Sequence, residues 1–277
     1  MIRRRPNRQI VEAENYNGTT SSTDFGTISS AFNSDTPHTI LSLIRPTGTG
    51  EGGFAYVCGK VPSGLAAGMR LFLSHGAGTP TPVFALDSSG SVGNPTITGT
   101  AGAVVYNIWQ HIAVTWDGGL AAAGMAMYIG LNGARLAPAS VTPTDGIGVV
   151  ADNATRSLFI GNRHGSDRTF NGDIAYFAMW PRILSQAQLL RAQQDGPGSV
   201  PGAIMIWAGG RDWSQMGRIP ANATIDVARV PGPRFPSTLG VGRFQTAPVG
   251  FVVSAAAFNV AWAGAANTVI HPGAIQA

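Results

Sequence analysis

Residues 109–133 read WQHIAVTWDGGLAAAGMAMYIGLNG, and the way this stretch alternates decides the fold. Two apolar segments, 112–116 and 125–129, carry β-branched or aromatic side chains, and turn chemistry closes each of them. Asp117-Gly118-Gly119 ends the first and Asn132-Gly133 follows the second. These residue types tolerate the positive φ that a tight turn requires. Ile112, Val114 and Trp116 fall on one side of the pleat, with His111, Ala113 and Thr115 on the other. A period of two marks a strand. The stretch therefore predicts an antiparallel pair, and the rest of the chain must supply strands that pack on it.

Composition agrees. The chain has 277 residues, enough to bury a core, and 37 of them are Gly and 18 Pro. Only 12% are charged. Many tight turns between short strands, an all-β body, is the expected outcome. Glu occurs only at 12, 14 and 51 and Lys only at 60, so helices laced with surface ion pairs are not expected.

Working outward, 39–44, 54–57, 69–73, 82–86, 96–98, 104–106 and 157–160 read as short strands between Gly, Pro and Ser punctuation. Tyr16, Phe25 and Ile28 are expected as inward anchors of edge strands. Residues 174–180 are apolar on both faces, Ile174, Tyr176 and Trp180 against Ala175, Phe177 and Met179, which predicts a central strand. Ser185-Gln186-Ala187-Gln188 is a capping box that opens one short helix over 185–194, docked by Leu189 and Leu190 and stopped at Asp195-Gly196-Pro197. The predicted core comprises Ile112, Val114, Trp116, Ile129, Ile160, Ile174 and Tyr176.

The ordered motifs carry a resemblance. WQHIAVTWDG, MAMYIGLNG and LFIGNRHGSDRTFNGDIAYFAMWPRILSQAQLLRAQ, preceded by AENYNGTTSSTDFGTIS and TILSLIRP, resemble the laminin-G-like or concanavalin-A-like jelly-roll family over about residues 12–194. The resemblance implies an all-β, two-sheet antiparallel jelly-roll sandwich with one short C-terminal helix and an extended C-terminal tail. It implies less about activity, because such folds host lectins, enzymes and structural modules. The organisation it suggests is a basic arm over 1–11, the sandwich over 12–195, and a segment over 196–277 that wraps the sandwich or docks on another subunit.

The net charge of +4 resides in the arm, since Arg3, Arg4, Arg5 and Arg8 account for it and the remaining charges balance. An arm of this kind meets nucleic acid or acidic groups on a protein surface, or is simply a solvated terminus. The expected partner is an acidic shell-protein surface, with no specific nucleic acid. Cys58 stands alone, so no internal disulfide framework forms. No apolar run follows the charged start, so no signal peptide is expected. Residues 246–270 are uncharged but contain Pro248, Ser254, Asn259 and Asn267. They read as buried strands or an intersubunit tail anchored by Phe251, Phe258 and Trp262, and not as a membrane span.

The fold's glucanases carry Glu-x-Asp-x-x-Glu on one strand, a pattern this chain lacks, and no catalytic residues are assigned. No cofactor is expected. A structural calcium is the one ion the resemblance admits, with oxygens available at Asp24, Asp117, Asn132, Asp167 and Asp173, though their spacing forms no cluster. His111 reads as a packed, hydrogen-bonded histidine. The polar loop GNRHGSDRTFNGD offers Arg163, His164, Asp167 and Arg168 as contacts for carbohydrate acids or a neighbouring subunit. Together these features predict a non-enzymatic virion structural protein of bacteriophage capsid-decoration or fibre type. It would be homo-oligomeric, assembled in the host cytoplasm beside capsid or other virion proteins, and would display the jelly roll to host-surface glycans. The alternative is a secreted or surface carbohydrate-binding module outside any virion.

Overall fold

The alternating stretch forms two antiparallel strands, Gln110–Trp116 and Met125–Leu131, with Trp116 opposite Met125 and Ile112 opposite Ile129. The computed structural model describes residues 12–27, 33, 35–61, 68–76, 78–89, 93–150, 153, 155–208, 225–226 and 228–231. Its strands begin with β1 (Glu12–Asn17), β2 (Ser22–Thr27), β3 (His38–Pro46), β4 (Phe54–Lys60), β5 (Met69–Ser74) and β6 (Thr81–Leu86). They continue as β7 (Ser88–Ser89), β8 (Thr96–Gly99), β9 (Gln110–Trp116), β10 (Met125–Leu131), β11 (Ala137–Pro138) and β12 (Val141–Thr144). After β13 (Val149–Val150), β14 (Ser157–Ile160) and β15 (Asn171–Trp180) comes helix α1 (Gln186–Asp195). Strands β16 (Met205–Ala208), β17 (Ile225–Asp226) and β18 (Ala228–Pro231) follow it.

These strands build a two-sheet antiparallel jelly-roll sandwich. One sheet runs β11-β10-β9-β3-β15-β1-β18, the other β12-β8-β6-β5-β4-β14-β2-β17, and β13 pairs with β7 alone. β15 is central, as its two apolar faces demand. It lies against β3 on one side, while on the other β1 pairs with its first half and β16 with its second. Packing therefore continues beyond residue 195: Met205 and Trp207 of β16 reach the core between the sheets, and β17 and β18 each extend a sheet edge.

Three apolar layers result. Between the sheets lie Ile40, Ile44, Leu71, Phe84, Ile112, Val114, Trp116, Ile160, Ile174 and Phe177, with Ile129 partly buried against them. Burying a large apolar side chain of this kind contributes about 1.5–3 kcal/mol. Outside the first sheet, α1 covers Leu41, Ala113, Tyr176 and Trp180. On the outer face of the second sheet sits a smaller cluster, Tyr56, Val61, Phe72, Val83 and Ala85, with Phe54 at its border.

Two expectations are corrected. Tyr176 is buried, but on the helix side of its sheet and not between the sheets. The register of β15 against β3 shifts between Ile174 and Tyr176, so Ala175 is an extra residue. A bulge of this kind places two successive side chains on one face. Ile174, Phe177 and Met179 thereby face the inner core, and Ala175, Tyr176, Ala178 and Trp180 face the helix. Residues 104–106 form no strand. The Gln110 side chain takes both backbone groups of Val105, accepting from its N–H at 3.1 Å and donating to its carbonyl at 2.9 Å, so no ladder partner is needed.

Helix α1 starts as its sequence dictates. The Ser185 side chain accepts from the Gln188 backbone N–H, Gln188 returns a bond to the Ser185 N–H, and Leu189, Ala192 and Gln193 are buried. Gln193 also orders the β10–β11 connection, accepting from Leu136 N–H at 2.8 Å and donating to the Ala134 carbonyl at 2.6 Å. Its amide meets His111 Nδ1 at 3.3 Å, and the His111 ring lies 5.8 Å from that of Tyr176, as a packed histidine should. Ile28, the arm residues Arg3, Arg4, Arg5 and Arg8 and the tail residues Phe251, Phe258 and Trp262 lie outside the described residues.

Candidate functional site

The loop between β14 and β15 is closed by one buried amide. Asn162 Oδ1 accepts from the backbone N–H of Arg163 at 2.8 Å and of Arg168 at 3.1 Å. Its Nδ2 donates to the Ser21 carbonyl at 3.2 Å and to Thr169 Oγ1 at 2.8 Å. Entry to the loop requires Gly161, whose φ is +71° and whose absent Cβ leaves room for the Tyr16 ring. Between these anchors the chain turns through Ser166, itself at a positive φ of 51°.

Within that frame the two arginines take different roles. Arg163 donates Nε at 2.7 Å and Nη2 at 2.8 Å to the two oxygens of Asp167, a bidentate pair four residues apart. The Arg163 hydrogen bond holds the Asp167 carboxyl below its usual range. The Arg163 side chain is only 4% exposed, and its guanidinium lies 5.8 Å over the Tyr56 ring. Arg168 is partly exposed, stacks 5.2 Å over Phe54, and donates Nη1 to the Asp167 carbonyl at 2.6 Å. It makes no ion pair among the described residues. His164 is exposed and turns its ring edge to Phe159, 5.8 Å away. Structure thus brings Arg163, Asp167 and Arg168 together and sets His164 apart from them.

Backbone hydrogen bonds knit this loop to three others at the same end of the sandwich. Glu51 N–H donates to Thr169 O, Tyr56 N–H to Arg168 O, Thr47 N–H to Asn171 O, His75 N–H to Gly53 O and Asn107 N–H to Pro46 O. The Glu51 carboxylate accepts from Thr169 N–H at 3.3 Å and from Thr169 Oγ1 at 3.1 Å. A continuous rim results, and it holds three partly exposed aromatic residues, each stacked on a partner. Phe54 lies under Arg168, Tyr106 against His75 and Trp109 under Arg45. None of these pairs was evident from sequence. The closest signal was the Gly50-Glu51-Gly52-Gly53 run immediately before Phe54, whose glycines hold φ of +69°, +60° and +78°.

The oxygens considered for calcium are dispersed. Asp24 accepts from Gly26 N–H within β2 and Asp117 from Gly119 N–H in a local turn, while Asn132 sits in a turn of its own at φ +47°. Asp173 accepts from Arg45 Nε at 2.6 Å and Asn15 Nδ2 at 2.7 Å. Among the described residues no three His, Cys, Asp or Glu side chains converge on a metal position. Other carboxylates are tied to donors as well: Glu14 to Tyr16 and Thr23, and Asp87 to Arg70 and Asn94. No helix among the described residues is long and apolar enough to cross a membrane.

A sandwich of this topology with its loops gathered at one rim defines a class. Residues 17–190 match the concanavalin A-like lectin/glucanases superfamily, and the chain belongs to it. No curated protein matches the chain. Among solved structures, a candidate carbohydrate-binding protein from Bacteroides ovatus is similar at a TM-score of 0.50 and 16% identity, over 81% of this chain and 60% of that one. The sialidase-linked carbohydrate-binding module CBM40 of Ruminococcus gnavus gives 0.43 and 11%, over 57% and 83%. The enzymatically active domain of tailspike protein 2 of bacteriophage CBA120 gives 0.41 and 12%, over 69% and 31%. At these identities the likeness concerns the fold.

Proposed function

We propose that this chain is a non-catalytic carbohydrate-recognition module that reads an acidic glycan at its loop rim. One observation carries the reading. Arg163 is neutralised by Asp167 and buried, whereas Arg168 is partly exposed, oriented by Phe54 and the Asp167 carbonyl, and free of an ion pair among the described residues. A guanidinium held over an aromatic ring and by a backbone hydrogen bond is pre-organised to take a planar carboxylate. Membership of a lectin and glucanase superfamily supports the same reading. The non-catalytic reading is supported by the sequence, which lacks the paired-carboxylate pattern Glu-x-Asp-x-x-Glu.

The test is a panel of oligosaccharides bearing uronate or sulfate groups, titrated against the wild-type chain and the Arg168→Ala variant. Loss of a charge-assisted hydrogen bond is expected to weaken binding about 10- to 100-fold while the melting temperature holds. The same panel should yield no new reducing ends on incubation. Equal affinity of the two proteins, or no acidic ligand at all, would sink the proposal.

The proposed setting is a virion, with the termini making the assembly contacts of a homo-oligomer. Two compositional facts support it: Arg3, Arg4, Arg5 and Arg8 concentrate the net charge, and residues 246–270 hold Phe251, Phe258 and Trp262 without a charge. Large apolar side chains in such a stretch gain about 1.5–3 kcal/mol each when buried against a neighbour. Deleting residues 235–277 is expected to abolish oligomer or particle incorporation and to leave cooperative melting of the sandwich intact. Full incorporation of the truncated chain would remove the docking role and favour a free carbohydrate-binding module.

A further inference from the structure

Beside Phe54 and Arg168 the rim holds a second aromatic group. His75 follows β5 directly, and its backbone N–H donates to Gly53 O at 3.0 Å, so it is bonded to the residue that precedes Phe54. Its ring stacks parallel to Tyr106, with an interplanar angle of 5° and centroids 5.7 Å apart, and the Tyr106 hydroxyl meets His75 Nδ1 at 2.6 Å. Burial lowers the His75 pKa, which favours the neutral imidazole in this hydrogen bond. His75 Nε2 is buried without a hydrogen-bond partner among the described residues.

Tyr106 is therefore a fixed ring. Its hydroxyl is anchored at the edge of the buried His75 ring, and the residue stays partly exposed. Asn107, next along the chain, is exposed and held at φ +61°, a conformation that non-glycine residues adopt at a cost. Its backbone N–H is fixed by Pro46 O at 2.7 Å. An immobilised aromatic face next to an outward amide is an arrangement suited to a sugar ring, whose C–H face stacks while its hydroxyls find the amide.

From this we infer that the rim carries a second, neutral-sugar subsite at Tyr106 and Asn107, contiguous through Gly53 and His75 with the acidic subsite at Arg168, so that the ligand is an oligosaccharide and not a single terminal acid. The inference rests on the reading of Arg168 as the glycan contact. It adds that affinity grows with chain length and that the growth depends on Tyr106.

The experiment uses the full chain and isothermal titration with the acidic sugar that binds wild type, presented as monosaccharide, disaccharide and tetrasaccharide. Wild type is expected to bind the longer ligands more tightly than the monosaccharide. Tyr106→Ala should lose about fivefold to tenfold toward the tetrasaccharide and nothing toward the monosaccharide. Tyr106→Phe, which keeps the ring, should stay within about twofold of wild type. If Tyr106→Ala melts early, Tyr106→Leu supplies the measurement, since it retains apolar bulk without an aromatic face.

Failure of this inference is separable from failure of the broader reading. Length-independent affinity, or an unchanged tetrasaccharide affinity in the Tyr106 variants while Arg168→Ala still loses binding, would overturn the second subsite alone. An equal loss toward monosaccharide and tetrasaccharide would also overturn it, because Tyr106 would then be shaping the Arg168 subsite. Absence of binding by any acidic ligand would overturn both.

Discussion

Replacing Trp116 with alanine is expected to destabilise the sandwich by about 3–5 kcal/mol. Trp116 is fully buried at the end of β9, opposite His38 of β3 and Met125 of β10. Its ring meets that of His38 edge to face with centroids 5.1 Å apart, and its Nε1 donates to the Gly119 carbonyl at 2.9 Å. Truncation removes the apolar burial, opens a cavity between the sheets and leaves the Gly119 carbonyl of the 117–119 turn without its donor. Trp116→Phe should cost less, because it keeps most of the contact and loses chiefly the hydrogen bond. Denaturant unfolding of both variants measures the difference. An unchanged midpoint for Trp116→Ala would remove this residue from the core and with it the assigned parity of β9.

Acid should destabilise the fold well before its carboxylates titrate. Burial lowers the pKa of His38 to about 4 and that of His111 to about 3. At His38 the hydrogen bond to the Thr36 carbonyl opposes this and the charge of Lys60 reinforces it. Both folded values lie below the unfolded one of about 6.5, so the unfolded chain binds protons that the native chain refuses. Their contribution is fully present above pH 6.5 and is lost as pH falls through the window from there to about 4 and 3. Each histidine costs about 1.4 kcal/mol per pH unit in that window, hence roughly 3 kcal/mol apiece by pH 4. The interval between pH 6.5 and 5 isolates them from Asp and Glu. His75, whose pKa burial also lowers, adds to the same slope, so a His111→Gln variant should show a shallower but not abolished slope there, whereas a flat stability profile over that interval would contradict the assignment.

Local alternation was enough for β9, where Ile112, Val114 and Trp116 face the core as a period of two requires. It was also enough for the Ser185 cap, because the capping groups lie within four residues of one another. Tyr176 was placed on the wrong face because one inserted residue, Ala175, reverses the parity of everything after it. Nothing in an unbroken apolar run marks where such a bulge falls. A second bulge in β4 turns both Val57 and Cys58 inward for the same reason.

The candidate site was legible to the same degree. Arg163 and Asp167 are four residues apart and pair as that spacing allows. The aromatic partners come from elsewhere: Tyr56 and Phe54 from β4, His75 from the end of β5, and Tyr106 from the turn held by Gln110. Only the strand order of the sandwich brings residues 54, 75, 106 and 168 to one end. Their meeting is a property of topology, which short-range pattern does not encode.

Glycan recognition at this rim is tested most directly by mapping backbone amide chemical shifts of the isotopically labelled protein during titration with an acidic tetrasaccharide. Saturable shifts concentrated in residues 50–54, 75–76, 104–109 and 162–169, weaker with the uncharged tetrasaccharide and moved to about 10- to 100-fold higher ligand concentration by Arg168→Ala, are the expected result. Shifts confined to the opposite end of the sandwich, around residues 117–124 and 145–150, or an unperturbed spectrum at millimolar ligand, would contradict it.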